Sequence, residues 1–470
     1  MGSNGKIAVA TSIPPRMSRL NSGREIGAEY QRLCVRSWLD CGLKVISVNP
    51  REEVPELAAR YPDVSFVAVD RDARALFGRK TPFIGDLLAA LLASGCEKLG
   101  IINADLVFEP SPAWAASIPE AIGPSMLAAH RYDTSSLLDG ALSKYYVGLD
   151  FLFFDRETAA DFAAEAGNLA MGLPWWDYWL PALCQLQGRD LKLLDRPGCA
   201  HLIHPQGYPG ELLLRFAMDF AEFFLEAAKR LPSHPPVVAR LLDQCGEILS
   251  LRGQSGATPE ATWAIEQPFN RSVADWRREQ LSNVIRFETI ADGGAASSQP
   301  ELTPAAVFRG TEGRMQAGEA LIQAKCDQSA GNLGKARQEL KAALDRTPFD
   351  REVMTFLGEI LCQLKDYNAA ISLLERARTL HPGFGKILNG LGAGLHGIGR
   401  REDAAACFAE AVEHDPDLKD GYFNLAVTLL ELRRKGDAIA RLDAALKRWP
   451  DASDLAELRR HLTESQPLSA

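Results

Sequence analysis

Residues 99–108 form an apolar run broken by two oxygen-bearing side chains, Asn103 and Asp105, with Ala104 between them. Along a strand, positions i and i+2 face the same side. The pair therefore presents its oxygens together where a buried strand ends. Hard cations prefer carboxylate oxygens, so the pattern points to a divalent cation acting on a phosphorylated ligand. Asn and Asp also close strand–turn junctions by turn chemistry alone. Further along, Asp150 is the one carboxylate in the apolar run 145–154. A charge there is costly unless paired or used; an edge residue turned to water is the alternative. Asp177 lies among Trp175, Trp176 and Trp179. Indole rings stack on sugar faces and strip solvent from a carboxylate, which favours base chemistry. The competing reading makes Asp177 a helix cap and the tryptophans core. His201 and His204 are two imidazoles close together before Pro205, either ligands or surface residues.

The elements that position these groups alternate. The pattern predicts strands over 6–11, 43–48, 64–69 and 98–102, with helices over 29–41, 54–61 and 80–94. Such alternation means a mainly parallel sheet covered by helices, whose ligands sit beyond the carboxyl ends of the strands. Thr11, Ser12, Arg16, Asn49, Asp70 and the 103–105 motif all lie at those ends. Residues 211–290 read as a helical bridge interrupted at Pro232, Pro235 and Pro236, and 291–312 as a Gly-, Ser- and Pro-containing linker.

The C-terminal third repeats. Pro348, Pro382, Pro416 and Pro450 are 34 residues apart, and so are Ala336, Ala370, Ala404 and Ala438. Ala343, Ala377, Ala411 and Ala445 keep the same step, as do the small residues Ala324, Gly358, Gly392 and Ala426. The period resembles that of the tetratricopeptide repeat (TPR), a helix–turn–helix unit. Four copies, 317–350, 351–384, 385–418 and 419–452, with a capping helix over 455–462, occupy a region of 313–466. Small residues let paired helices approach, and each Pro stops the second helix. The resemblance implies an all-α solenoid, serving either as a groove for a protein partner or as a brace or dimerisation element.

Over about residues 5–210, the first strand with its Thr11–Pro15 exit, the order βαβαβαβ and the fourth strand running into Asn103-Ala104-Asp105 together resemble the GT-A class of glycosyltransferases. The resemblance implies a Rossmann-type α/β domain over 1–210 that binds a nucleotide-diphosphate sugar. In that class an Asp-x-Asp motif holds Mn²⁺ or Mg²⁺ against the diphosphate; here Asn103 stands first and Asp105 alone is a carboxylate. The resemblance further implies His201 or His204 as an additional metal or diphosphate ligand. Arg79 and Lys80 are charges that either neutralise the diphosphate or form a solvated pair. Asp150 becomes a sugar- or acceptor-binding residue, and Asp177 the base of an inverting transfer. The expected activity is metal-assisted transfer of a sugar to a protein or glycan acceptor recruited by the repeats. A catalytically inactive sugar-nucleotide scaffold is the alternative, because of Asn103. A nucleotidyltransferase is a second one, although 12–16 lack the glycines of a phosphate loop.

Composition narrows the classes. A net charge of −9 argues against a nucleic-acid partner. Nine cysteines without a C-x-x-C pair fit neither a zinc site nor a disulfide framework, and suggest free thiols in a reducing cytoplasm. No apolar run reaches about 18 residues, so no membrane span is expected, and the first residues have no signal-peptide core.

Overall fold

The structure, a computed structural model, describes residues 7–21, 24–109, 118–119, 122, 126–145, 149–173, 175–194, 198–204, 210–229, 236–250, 284–285, 302–308 and 311–464. The chain divides into two compact units. The first comprises Met1–Arg19, Ile26–Asp133 and Lys144–Arg309; the second comprises Leu20–Glu25, Thr134–Ser143 and Gly310–Ala470.

The first unit is built on a mostly parallel sheet. Its strands are β1 (Ile7–Thr11), β2 (Lys44–Pro50), β3 (Ser65–Val69), β4 (Lys98–Ile102), β5 (Met126–Ala129), β6 (Phe151–Asp155) and β7 (Leu191–Leu194). Their spatial order is β7-β5-β6-β4-β1-β2-β3, with the short strand Val284–Ile285 added beside β7. β4, β1, β2 and β3 run parallel, whereas β6 runs antiparallel to both β4 and β5. Every residue of β1 is buried, as expected of a parallel strand covered on both faces. Between β1 and β4 the chain order reverses direction across the sheet, which opens a crevice at their carboxyl ends. Gly100 of β4 stands opposite Phe153 of β6. A Cβ there would lie 2.6 Å from the Phe153 ring, so glycine is what lets that ring cross the strand.

A second, four-stranded sheet orders Ser143–Tyr145, Arg131–Thr134, Cys199–Leu202 and Val107–Phe108. Cys199 and Ala200 pair antiparallel with Phe108 and Val107. This pairing brings two segments distant in sequence alongside the end of β4.

Several expectations need adjustment. The helix expected from residue 80 begins at Ile84, because Pro82 disfavours helical backbone in the residue before it. The apolar run 145–154 is not one strand: one strand ends at Tyr145 and β6 begins at Phe151, with Asp150 in a bend. The expected bridge over 211–290 begins as helix Gly210–Ala228, whose Phe216, Phe220 and Phe224 lie in the same core as the sheet. It is an integral layer of the first unit, because its phenylalanines recur every four residues and need an apolar partner. A second helix, Pro236–Ser250, follows. Of the expected linker, 291–301 lies outside the described residues, while Pro304–Phe308 is a short helix with Ala306, Val307 and Phe308 buried.

The second unit carries four helix pairs. They are Thr311–Ser329 with Leu333–Arg346, Arg351–Gln363 with Tyr367–Leu380, Gly385–Gly397 with Arg401–His414, and Lys419–Glu431 with Lys435–Arg448. Helix Ser453–Glu464 closes the array. The 34-residue positions behave as their size predicts. Ala336, Ala370, Ala404 and Ala438 are fully buried, and a Cβ on Gly358 or Gly392 would sit 2.7 Å from Leu374 or Phe408. Residues 134–143, which turn at 137–139, lie against the first two repeats within this unit. Arg314, buried, donates to the carbonyls of Ser136 (3.1 Å), Leu137 (3.3 Å) and Gly140 (2.6 Å). Arg351 donates to Ser135 Oγ at 3.1 Å, and His381 Nδ1 lies 3.0 Å from Asp139 Oδ2.

Asp350 caps the helix Arg351–Gln363 by accepting the Val353 N–H at 3.0 Å, yet it is buried. Burial and then the neighbouring Glu352 push its carboxyl up to about 7. Between the ordinary carboxylate pKa of about 4 and that value, the folded chain holds a proton that the unfolded chain releases, so stability falls as pH rises through this window. Asp350→Asn keeps the capping oxygen and removes the titration. Thermal unfolding is expected to show the variant melting roughly 4 °C or more above wild type at pH 7.5, with the two curves converging below about pH 4. Melting temperatures that stay parallel across the range would contradict this.

Candidate metal centre

The segments brought together by the second sheet end in three ligand-type side chains. Asp105 lies in the turn after β4, His201 in the strand Cys199–Leu202, and His204 two residues beyond that strand. Nε2 of His201 and Nε2 of His204 lie 3.3 Å and 3.4 Å from the same oxygen, Asp105 Oδ2. The three ligand atoms all fall within 4.8 Å of one another. Ligands about 2.1 Å from one ion are separated by about 3.0–3.4 Å when they occupy neighbouring positions, so the trio has the dimensions of a partial coordination shell.

The surroundings orient it. His201 Nδ1 lies 2.9 Å from Asp133 Oδ1, which fixes Nδ1 as the protonated nitrogen and turns the Nε2 lone pair toward the centre. Asp133 in turn accepts Arg131 Nε at 2.7 Å, and Arg131 reaches Asp150 through Nη1. The Tyr30 hydroxyl donates to the Asp105 carbonyl at 2.7 Å and accepts the Leu202 N–H at 2.9 Å, clamping both segments. Arg19 Nη2 donates to Asp105 Oδ2 at 2.6 Å.

Electrostatics follow from burial and pairing. Burial alone would raise the Asp105 pKa, but His201, His204 and Arg19 hold it well below the usual carboxylate range. Burial opposes protonation of His201, yet Asp105 and Asp133 outweigh it and raise its pKa. For Asp150 burial prevails over Arg131 and the pKa is raised. An oxygen and two imidazole nitrogens suit Mn²⁺, Fe²⁺, Co²⁺ or Zn²⁺; Mg²⁺ prefers a shell of oxygens.

The other expected residues distribute unevenly. Asn103 does not join the trio. Its side-chain amide donates to Asp150 Oδ1 at 2.8 Å and its backbone N–H to the Asp150 carbonyl at 3.0 Å. β4 ends at Ile102 and 104–105 form a turn, so the alternation that put Asn103 and Asp105 on one face does not extend to them; Ala104 is half-buried in that turn. Asp150 is not an edge residue in water: it is 3% exposed and paired with Arg131. Thr11 is fully buried at the end of β1 and Ser12 is half-buried beyond it. Asn49 shapes the β1 exit, donating to the Ile13 carbonyl (2.9 Å) and to Glu53 (3.1 Å) and accepting from Ser47 (2.6 Å). Asp70 is exposed and paired with Arg51, and Lys80 bridges Glu52 (3.1 Å) and Glu53 (2.9 Å). Arg16 and Arg79 are exposed.

Asp177 sits half-buried in the first turn of helix Trp176–Leu186 and accepts the Leu149 N–H at 3.3 Å, beside Asp150 in the chain. The expected sugar-stacking platform around it is absent among the described residues. Trp175, Trp176 and Trp179 are core, with Trp175 packed 5.1 Å from Phe220. Large rings that find an apolar helix opposite them bury rather than face solvent. Arg19, Tyr30, Arg131 and Asp133 also belong to the site, outside any motif of the sequence. The sequence carried one usable signal for them, the alternation Arg131-Tyr132-Asp133, which puts two charges on one face of a strand with Tyr132 buried on the other.

The TPR model matches residues 323–383 and 397–456. The helix pairs are therefore tetratricopeptide repeats, and the helical unit is a protein-interaction module by type. Similar solved structures include a mutant O-GlcNAc transferase of Thermobaculum terrenum, 24% identical over 28% of this chain and 26% of that one, with a TM-score of 0.27. A TPR protein of Thermus thermophilus is 21% identical over 34% of this chain and 89% of its own, TM-score 0.31. MamA of Desulfovibrio magneticus is 16% identical over 32% and 82%, TM-score 0.27. The chain thus spans about a quarter of the O-GlcNAc transferase chain that it matches. No match was found among curated proteins. None of the helices searched, among the described residues, is long and apolar enough to cross a membrane.

Removing the Asp133 support tests whether the trio is a metal centre. Asp133→Asn is expected to weaken Mn²⁺ binding, read from the electron paramagnetic resonance signal of free Mn²⁺, by roughly tenfold or more, with the fold intact by circular dichroism. Unchanged Mn²⁺ affinity would remove Asp133 from the site.

Proposed function

We propose that the first unit is a metal-assisted glycosyltransferase acting on a nucleotide-diphosphate sugar, and that the repeats bring its acceptor. One observation carries the reading. A half-buried carboxylate and two imidazoles, the nearer one oriented by a second carboxylate, meet beside the carboxyl end of β4, where the sheet's chain order reverses. Ligands of open α/β sheets bind at that place. The resemblance of β1, its exit and the 98–105 segment to the GT-A class supplies the substrate class.

In this reading Asp105, His201 and His204 hold Mn²⁺ rather than Mg²⁺, since two of the three donors are nitrogen. A cation bound there supplies charge to the leaving diphosphate. Ser12 and Arg16, beyond β1, line the nucleotide side of the crevice, with Asn49 holding the β1 exit in shape. Arg131 and Asn103 fix Asp150 as a buried group beside the sugar. Asp177 takes the proton from the acceptor hydroxyl. Its negative charge is favoured in the first turn of a helix, and its bond to the Leu149 N–H aims it along the segment that carries Asp150. A base that activates the acceptor makes the transfer inverting.

The inactive-scaffold alternative draws on the ion pair between Arg19 and Asp105, which already neutralises the only carboxylate of the trio. Incubation with UDP-, GDP- and CMP-sugars, with and without Mn²⁺, separates the two. The enzyme reading expects thermal stabilisation by one nucleotide class, dependent on Mn²⁺, and release of the nucleotide. Asp177→Asn is expected to retain that stabilisation and to lower turnover by about 10²–10⁴-fold. Stabilisation without turnover in wild type would favour the scaffold; stabilisation by none of the sugars would refute both.

A further inference from the structure

Arg19 has no place in the motif, yet it makes the shortest contact to the centre. Its Nη2 lies 2.6 Å from Asp105 Oδ2, the oxygen on which both imidazoles converge. Its side chain is only 10% exposed. The charges nearby divide cleanly. Arg131 is committed to Asp133 and Asp150, whereas Arg19 joins the two imidazoles in compensating Asp105. A guanidinium so placed stands where an ion bound to the same oxygen would repel it. An ion about 2.1 Å from Oδ2 and a guanidinium hydrogen-bonded to that oxygen are like charges within about 4 Å of each other in a half-buried site, where such repulsion is stronger than in bulk water.

We propose that Arg19 and a divalent cation are alternative occupants of Asp105, and that the arriving cation releases Arg19 to the diphosphate of the ligand. The inference rests on the metal-assisted reading above and deepens it. The chemistry suits both partners of Arg19. A planar guanidinium binds carboxylate and phosphate oxygens with the same paired N–H geometry, and its long side chain leaves from the segment that follows β1, on the diphosphate side of the crevice. Cation and diphosphate then bind cooperatively, since the phosphate accepts the arginine that the cation displaces, and such coupling is reciprocal. With no ligand present, Arg19 holds the carboxylate in place and keeps cation affinity low.

The test uses the full-length protein and Mn²⁺ alone, followed by the resonance of free Mn²⁺. Arg19→Gln is expected to bind Mn²⁺ about tenfold more tightly than wild type, an effect of ordinary size for a partly buried like-charge contact. Arg19→Lys keeps the charge but loses the planar fork, and is expected to fall between them; it also serves if the Gln variant does not fold. A second arm measures inorganic pyrophosphate binding in EDTA by calorimetry. Asp105→Asn, which frees Arg19, is expected to bind pyrophosphate more tightly than wild type, and Asp105→Asn with Arg19→Gln is expected to lose that gain. If wild type binds Mn²⁺ and neither Arg19 variant binds it more tightly, the exchange is wrong while the metal centre stands. If no form binds Mn²⁺, the metal reading falls and the exchange with it. A pyrophosphate gain that survives in the double variant would overturn the role of Arg19 toward phosphate.

Discussion

The first unit is organised around the cost of keeping the Asp105 carboxylate largely out of water. An ion in such a place must be paired and hydrogen-bonded or it is strongly destabilising. Asp105 is compensated by Arg19 and two imidazoles; His201 is oriented by Asp133, which is held by Arg131, which also reaches Asp150; and Asp150 fixes Asn103. The chain of partners extends from the end of β4 to the start of β6 and across the strand Cys199–Leu202. The Tyr30 hydroxyl bonds the backbone on both sides of the same point. Removing a member leaves a poorly hydrated charge short of a counterpart, so the contacts are worth more together than singly.

The helical unit depends on a different constraint, the close approach of paired helices. Gly358 and Gly392 leave no room for a side chain against Leu374 and Phe408. Where the repeat has Ala324 or Ala426 the same position is fully buried. The first two repeats also hold residues 134–143 through Arg314, Arg351 and His381. Part of their polar surface is therefore engaged with the backbone carbonyls and side chains of this segment of the chain itself.

Much of this was legible in the sequence, and the reasons are local. The repeat was readable because each 34-residue copy is the same packing unit, so the same small residues recur. β1 to β4 were readable because buried parallel strands are short apolar runs between turn residues. The helix Gly210–Ala228 carried its signal too, a Phe216, Phe220, Phe224 stripe, but proline-rich flanks made it look like a bridge. What could not be read was non-local. Nothing near Val107 announces its pairing with Ala200, so only the resemblance, and no local pattern, put His201 and His204 with Asp105. Asn103 misled because strand alternation stops at Ile102. The tryptophans misled because an indole suits a sugar face and a core equally well until its neighbour Phe220 is known.

The proposed chemistry requires Asp105, His201 and His204 to bind one ion together. Anomalous difference density from crystals of the full chain soaked in Mn²⁺ addresses that directly. A single strong peak about 2.1 Å from Asp105 Oδ2 and from Nε2 of both histidines is the predicted result. Density only at surface carboxylates, with none among these three atoms, would contradict it.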